Sequence, residues 1–135
     1  MANICVTGGA GYIGSHCVDY ILKNTEHSVI VIDNLSTGNK WAIDNCAAHR
    51  KTTIPFYRAS IDDCATVESI LRNHHIDAVI HFAAFSLVAE SQENPLKYYT
   101  NNTASTIRLL ETLAKCGVHT FVFSSTEIGR ASCRE

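Results

Sequence analysis

Residues 7 to 14 read Thr7-Gly8-Gly9-Ala10-Gly11-Tyr12-Ile13-Gly14, and four of the chain's seven glycines fall inside them. The segment satisfies two spacings at once, G-x-x-G-x-x-G from Gly8 and G-x-G-x-x-G from Gly9. It follows the apolar run Ile4-Cys5-Val6, which predicts a strand. It leads into residues 13 to 24, where Ile13, Cys17, Ile21 and Leu22 fall near helical spacing. A strand that turns sharply into a helix needs glycine at the bend. A backbone that must approach a pyrophosphate needs positions without a Cβ, and the start of the helix then offers free N–H groups and the positive end of its dipole. Gly14 lets the helix lie close on the strand. Asp33 stands about 20 residues further on, at the end of the next apolar run. A carboxylate there accepts hydrogen bonds from the adenosine ribose hydroxyls and repels a 2′-phosphate, which favours NAD over NADP.

The rest of the chain alternates in the same way. Val29-Ile30-Val31-Ile32 is continuous and apolar, as in a strand buried on both faces. Residues 39 to 48 carry Trp41 and Ile43 as helix anchors, and residues 54 to 57 predict a third strand whose Pro55 marks a sheet edge. Asp62 or Asp63 caps a helix bearing Cys64, Val67, Ile70 and Leu71, and residues 78 to 82 give a fourth strand. Asn94-Pro95 reads as an N-cap followed by proline at the first helical position. Leu96, Tyr99, Thr103, Ile107, Leu110 and Ala114 then line one face of a long helix ended by Gly117, and residues 120 to 123 give a fifth strand. Strand-helix alternation implies right-handed crossovers. The expected fold is α/β: a Rossmann-type doubly wound parallel sheet with helices on both faces, truncated after about five strands.

Composition agrees with this reading. The 135 residues are 46% hydrophobic and 18% charged with a net charge of −2, which suits a globular domain. The absence of a basic patch argues against nucleic acid or an anionic membrane surface as partner. No apolar run approaches the roughly 20 residues of a membrane span, and the first residues do not resemble a signal peptide, so a cytoplasmic location is expected. The six cysteines include no Cys-x-x-Cys pair and are read as free thiols. His74-His75 is read as a solvated helix end rather than a metal site, and no metal is expected.

The glycine segment resembles the T-G-x-x-G-x-x-G signature of the extended short-chain dehydrogenase/reductases. Gly11-Tyr12-Ile13-Gly14-Ser15-His16 and Asp33-Asn34-Leu35 are similar to the sugar-nucleotide epimerases within that group. So are Asp77-Ala78-Val79-Ile80-His81-Phe82-Ala83-Ala84, Ser86-Leu87-Val88-Ala89-Glu90-Ser91, Pro95-Leu96-Lys97-Tyr98-Tyr99 and Asn101-Asn102. Phe123-Ser124-Ser125-Thr126 looks like the start of their F-S-S-[ST]-A-x-x-Y-G segment.

The resemblance implies NAD as a retained cofactor, with Gly8, Gly11, Tyr12, Ile13 and Gly14 at the pyrophosphate. It implies Asp33, Asn34, Leu35, Ser36, Thr37 and Gly38 around the adenosine ribose, and Ser60 and Ile61 beside the adenine. Ser60 stands where the family usually has Asp, and its hydroxyl can accept the same bond. Phe82, Ala83, Ala84, Phe85 and Ser86 would line the nicotinamide half, Asn101 and Ser124 would also bind cofactor, and Thr126 would contact the sugar 4-hydroxyl in catalysis. The implied reaction interconverts UDP-glucose and UDP-galactose through a 4-keto sugar in a homodimeric enzyme. A 4,6-dehydratase, another epimerase or a non-catalytic NAD sensor shares the same half-site.

Two features limit the expectation for the chain as written. The family's general base is the tyrosine of a Tyr-x-x-x-Lys pair, and Tyr12, Tyr20, Tyr57, Tyr98 and Tyr99 all lack a lysine four residues on. The chain by itself is therefore expected to be inactive. From Glu127 the sequence leaves the family pattern, and from the second base of its first codon it back-translates to a string like a common short-read sequencing adapter. Residues 1 to 126 are thus expected to be a partial NAD-binding domain, and residues 127 to 135 a tail that is not native.

Overall fold

A computed structural model describes residues 1 to 125. The expectation for Thr126 and for the tail at 127 to 135 lies outside the described residues. The elements, in order, are β1 (Asn3–Thr7), α1 (Tyr12–Asn24), β2 (Ser28–Ile32), α2 (Lys40–Arg50), β3 (Phe56–Tyr57), α3 (Cys64–Asn73) and β4 (Ala78–His81). They continue with α4 (Val88–Glu93), α5 (Pro95–Tyr98), a π turn (Tyr99–Ala104), α6 (Ser105–Cys116) and β5 (Thr120–Phe123). All strand pairs are parallel, in the order β3-β2-β1-β4-β5. The doubly wound α/β expectation holds.

The period of two along each strand sorts side chains between two cores. Cys5, Ile30, Ile32 and Val79 face Val67, Ile70 and Leu71 of α3 and Leu109 and Leu113 of α6. Val6, Val29 and Val31 face Val18 and Ile21 of α1 and Ile43 of α2. Helices therefore cover both faces, as right-handed crossovers require. β3 is shorter than the predicted 54–57 and lies at the edge; the Pro55 carbonyl still accepts from Val31 N–H, so the missing proline donor costs the sheet nothing. Asp63, not Asp62, caps α3. Trp41 does not anchor α2: it is 66% exposed, and the helix packs through the buried Ile43 with Cys46 and Ala47 beside it. His74 is not merely solvated, because its Nε2 meets the Tyr57 hydroxyl at 2.6 Å and ties α3 to β3. Cys5, Cys17, Cys46, Cys64 and Cys116 are free, as expected. Among the described residues no helix is long and apolar enough to cross a membrane.

The long helix after Asn94 departs most from expectation. It starts as predicted, with the Asn94 side chain accepting from Lys97 N–H and Pro95 in the first turn. It is then interrupted by the π turn, and Leu96, Tyr99, Thr103, Ile107, Leu110 and Ala114 all point outward. Leu96 is 75%, Tyr99 68%, Ile107 52% and Leu110 41% exposed. The packed face is Ser105, Thr106, Leu109, Thr112 and Leu113. Its hydroxyls bond back to the helix, Ser105 to the Thr100 carbonyl, Thr106 to Asn102 and Thr112 to Arg108, so this polar-looking stripe buries without unpaired groups.

The two faces predict opposite mutational costs. Leu109→Ala should lose about 2–5 kcal/mol, whereas Ile107→Ala should stay within about 0.5 kcal/mol. Chemical denaturation of the two variants checks this; a larger loss for Ile107→Ala than for Leu109→Ala would place the helix the other way round.

Candidate functional site

The first bend after β1 is made by Gly8 at φ +71°. A Cβ there would stand 2.6 Å from the Ala83 backbone nitrogen, and one on Gly14 would stand 2.2 Å from the Gly8 carbonyl oxygen. Both obstacles are backbone, so no side chain can move aside. Gly11 N–H donates to the Gly8 carbonyl at 3.1 Å, and Gly11 then caps α1 without a side chain. The first intrahelical bond is Ser15 N–H to the Gly11 carbonyl. The N–H groups of Tyr12, Ile13 and Gly14 precede it at the positive end of the helix dipole. Tyr12 and Ile13 side chains are exposed, so their backbone is what the loop presents.

Asp33 sits at the carboxyl end of β2 and is buried. Its Oδ2 accepts from Ala10 N–H at 2.9 Å and its Oδ1 from Leu35 N–H at 2.8 Å. One carboxylate thus fixes both the glycine loop and the loop that follows β2. In that second loop the Asn34 side chain accepts from Ser36 N–H, Leu35 adopts φ +59°, and Gly38 packs against Ala10, whose carbonyl accepts from Asn39 N–H. Ser36 and Thr37 are exposed. Ala59 N–H donates to the Asp33 carbonyl, which brings Ser60 and Ile61 to the same end of the sheet; Ser60 is half-buried and the Ile61 side chain is buried.

On the other side of β1, Phe82 N–H donates to the Thr7 carbonyl, and the loop over residues 82 to 86 opens with Phe82 and Ala83 against Gly8. The Asn102 side chain holds this loop by both backbone groups of Phe85, accepting from its N–H and donating to its carbonyl, each at 2.8 Å. Asn101 donates to Asn102 Oδ1 at 2.8 Å. Lys97 lies over the Phe85 ring and pairs with Glu90, whose carboxyl is held below its usual range by hydrogen bonds from Lys97 and Tyr98. Phe85 and Asn101 border an open cleft of about 390 Å³ with Asp62, Lys97 and Thr100. A larger cavity of about 530 Å³ lies at the amino ends of the strands and touches none of these residues. The chemistry follows the carboxyl ends, at the switch point between β1 and β4 where parallel α/β sheets bind ligands.

The sequence also matches known proteins. The model of the NAD dependent epimerase/dehydratase family matches residues 4–132. The chain belongs to this family. It is 48% identical over 124 residues to a UDP-glucose 4-epimerase of Streptococcus mutans, covering 91% of this chain and 35% of that protein. A UDP-glucose 4-epimerase of Bacillus subtilis is 44% identical over 124 residues, 91% of this chain and 36% of its own length. The chain thus spans about a third of the length of the curated relatives it matches. The crystal structure of a UDP-glucose 4-epimerase from Stenotrophomonas maltophila, with bound NAD and formylated UDP-arabinopyranose, superposes with a TM-score of 0.90 at 37% identity, covering 94% of this chain and 38% of that one. A UDP-Glc/GlcNAc 4-epimerase from Campylobacter jejuni gives 0.87 at 46%, covering 94% and 38%.

Within this epimerase/dehydratase domain, the residues singled out in the sequence gather at one end of the sheet. Gly8 to Gly14, Asp33 to Gly38, Ser60-Ile61, Phe82 to Ser86 and Ser124 each follow a strand's carboxyl end, and Ser124 N–H bonds the His81 carbonyl. Asn101 lines the cleft from the π turn. Asn102 was not given a role by sequence, although it is the residue that fixes the Phe85 loop. The signal for it was local: Thr100-Asn101-Asn102-Thr103 is a run of poor helix formers whose side chains compete for backbone, the mark of a distorted turn.

His81 is a satisfied core histidine. Thr7 Oγ1 lies 2.6 Å from its Nδ1 and Thr106 Oγ1 3.1 Å from its Nε2, and Phe123 stacks on the ring at 5.7 Å. Burial pushes its pKa down to about 4. The unfolded chain takes up that proton near 6.5, the folded chain only near 4, so folding stability should fall as pH drops through this window, by up to about 3 kcal/mol. His81→Gln should show a flatter loss than the parent between these pH values in denaturant titrations, and parallel curves would contradict the assignment.

Proposed function

We propose that this chain is the NAD-binding part of a UDP-glucose 4-epimerase that interconverts UDP-glucose and UDP-galactose. The observation that carries the reading is the N-terminus of α1, opening without a side-chain cap onto a Cβ-free backbone at the switch point, with the Asp33 carboxylate beside it. The relatives' identity supports the substrate class, and the match to structures with bound NAD supports the cofactor.

The residues present fit the group. The N–H groups of Tyr12, Ile13 and Gly14 would hold the pyrophosphate. Asp33 has used one lone pair on each oxygen for backbone N–H groups, and those remaining can accept from the adenosine ribose. The loop from Phe82 to Ser86, with Asn101 and Ser124, would line the nicotinamide half. NAD, when bound, supplies hydride acceptance from the sugar C4 and its return. The chain's own contribution is to hold the dinucleotide rigidly and to exclude a 2′-phosphate.

The test uses the full-length protein that carries this domain. Acid denaturation should release NAD rather than NADP, and the protein should convert UDP-galactose to UDP-glucose. Loss of water from the sugar would favour a 4,6-dehydratase, and NAD release without any turnover a sensor; absence of nucleotide would overturn the reading.

The outer face of α5, the π turn and α6 supports a homodimer, since Leu96, Tyr99, Ile107 and Leu110 leave an apolar stripe uncovered among the described residues. Ile107→Glu with Leu110→Glu should convert a dimer to monomers in sedimentation, with the melting curve of the single domain little changed.

A further inference from the structure

Beneath the nicotinamide-side loop lies a polar chain that the proposed function leaves without a task. Thr7, His81 and Thr106 are all buried and come from β1, β4 and α6. The hydroxyl of Thr106 donates its one hydrogen to the Asn102 carbonyl at 2.8 Å. Its oxygen therefore accepts from His81, which puts the imidazole proton on Nε2 and leaves Nδ1 to accept from the Thr7 hydroxyl. The direction is fixed throughout: Thr7 to His81, His81 to Thr106, Thr106 to Asn102. The chain begins one residue before Gly8. It ends in the π turn, at the residue that grips Phe85 by both backbone groups.

Single π turns inside a helix are rare and gather at functional sites. Two hydroxyls hold this one by bonding back to its carbonyls, Ser105 to Thr100 and Thr106 to Asn102. Relaxation to α-helix would drop a residue from the turn and rotate Asn102 away from Phe85. The bond from His81 adds a restraint from the sheet to the Thr106 hydroxyl that already bonds the Asn102 carbonyl.

We propose that His81 is a positioning residue for the nicotinamide end of the cofactor: acting through Thr106, it holds the π turn in register so that Asn102 fixes the loop from Phe82 to Ser86. The proposal rests on the reading that the chain binds NAD. A histidine that merely fills the core would, when replaced, lower stability and weaken all nucleotides alike. A positioning histidine affects only ligands that reach the 82–86 loop.

The experiment compares dissociation constants for NAD and for ADP-ribose, which lacks the nicotinamide, by calorimetry on full-length protein stripped of nucleotide. His81→Asn keeps a partner for Thr7 and loses the one for Thr106; His81→Gln reaches the Nε2 position. Thr106→Val is nearly isosteric and removes the hydroxyl, and Thr106→Ser restores it. We expect His81→Asn and Thr106→Val to weaken NAD about tenfold while ADP-ribose changes less than about twofold, and His81→Gln and Thr106→Ser to keep the parent's ratio to within about twofold. An unchanged ratio in His81→Asn and Thr106→Val overturns the positioning role whatever the melting temperatures do. A parent protein that binds neither ligand overturns the NAD reading itself.

Discussion

The structure depends on one close approach, between the backbone leaving β1 and the backbone leaving β4. With Gly8 against Ala83 and Gly14 against the Gly8 carbonyl, there is no room for a single extra carbon. That contact sets how tightly α1 sits on the sheet, where its free N–H groups emerge, and how near the Phe82–Ser86 loop comes to them. The parallel pairing of β1 with β4 supplies the register, Thr7 opposite His81, so that both strands end at the same height. A ligand at this end meets main-chain donors on one side and a loop held by Asn102 on the other.

Much of this was legible in the sequence because it is written in backbone requirements. Glycine at the bend, an acid at the end of the next strand, continuous apolar runs and proline at a sheet edge each have one strong physical reason. The outer face of α6 was not legible in the same way. Ile107 and Leu110 look like core residues, yet Ser105, Thr106 and Thr112 take the inner face because their hydroxyls are satisfied by carbonyls of their own helix. Hydrophobic periodicity counts residue types and cannot see a hydroxyl whose partner lies one turn back. The π turn adds to the error by shifting the helix's phase partway along. Trp41 fails for a related reason: Ile43, Cys46 and Ala47 of that short helix turn towards the core, and the larger side chain stays outside.

The site itself was legible by position and less so by contact. Asp33, the glycine loop and the Phe82–Ser86 loop converge as expected, but the sequence does not say who holds them. Ala10 contributes through its N–H, Asn102 through a side chain aimed at backbone, and His81 from a core place where nothing charged is wanted. These are supporting roles, set by tertiary neighbours far apart in the chain.

Asp33 illustrates what such sharing entails. Its two oxygens already restrain the N–H groups of Ala10 and Leu35 before any nucleotide arrives. The residue we propose as the discriminator between dinucleotides is thus also a rivet between two loops. Any route, in evolution or in the laboratory, towards a phosphorylated dinucleotide must first find those two amides another acceptor. On the proposed NAD reading, cofactor preference is therefore coupled to folding stability, and any substitution at Asp33 also gives up two restraints between loops.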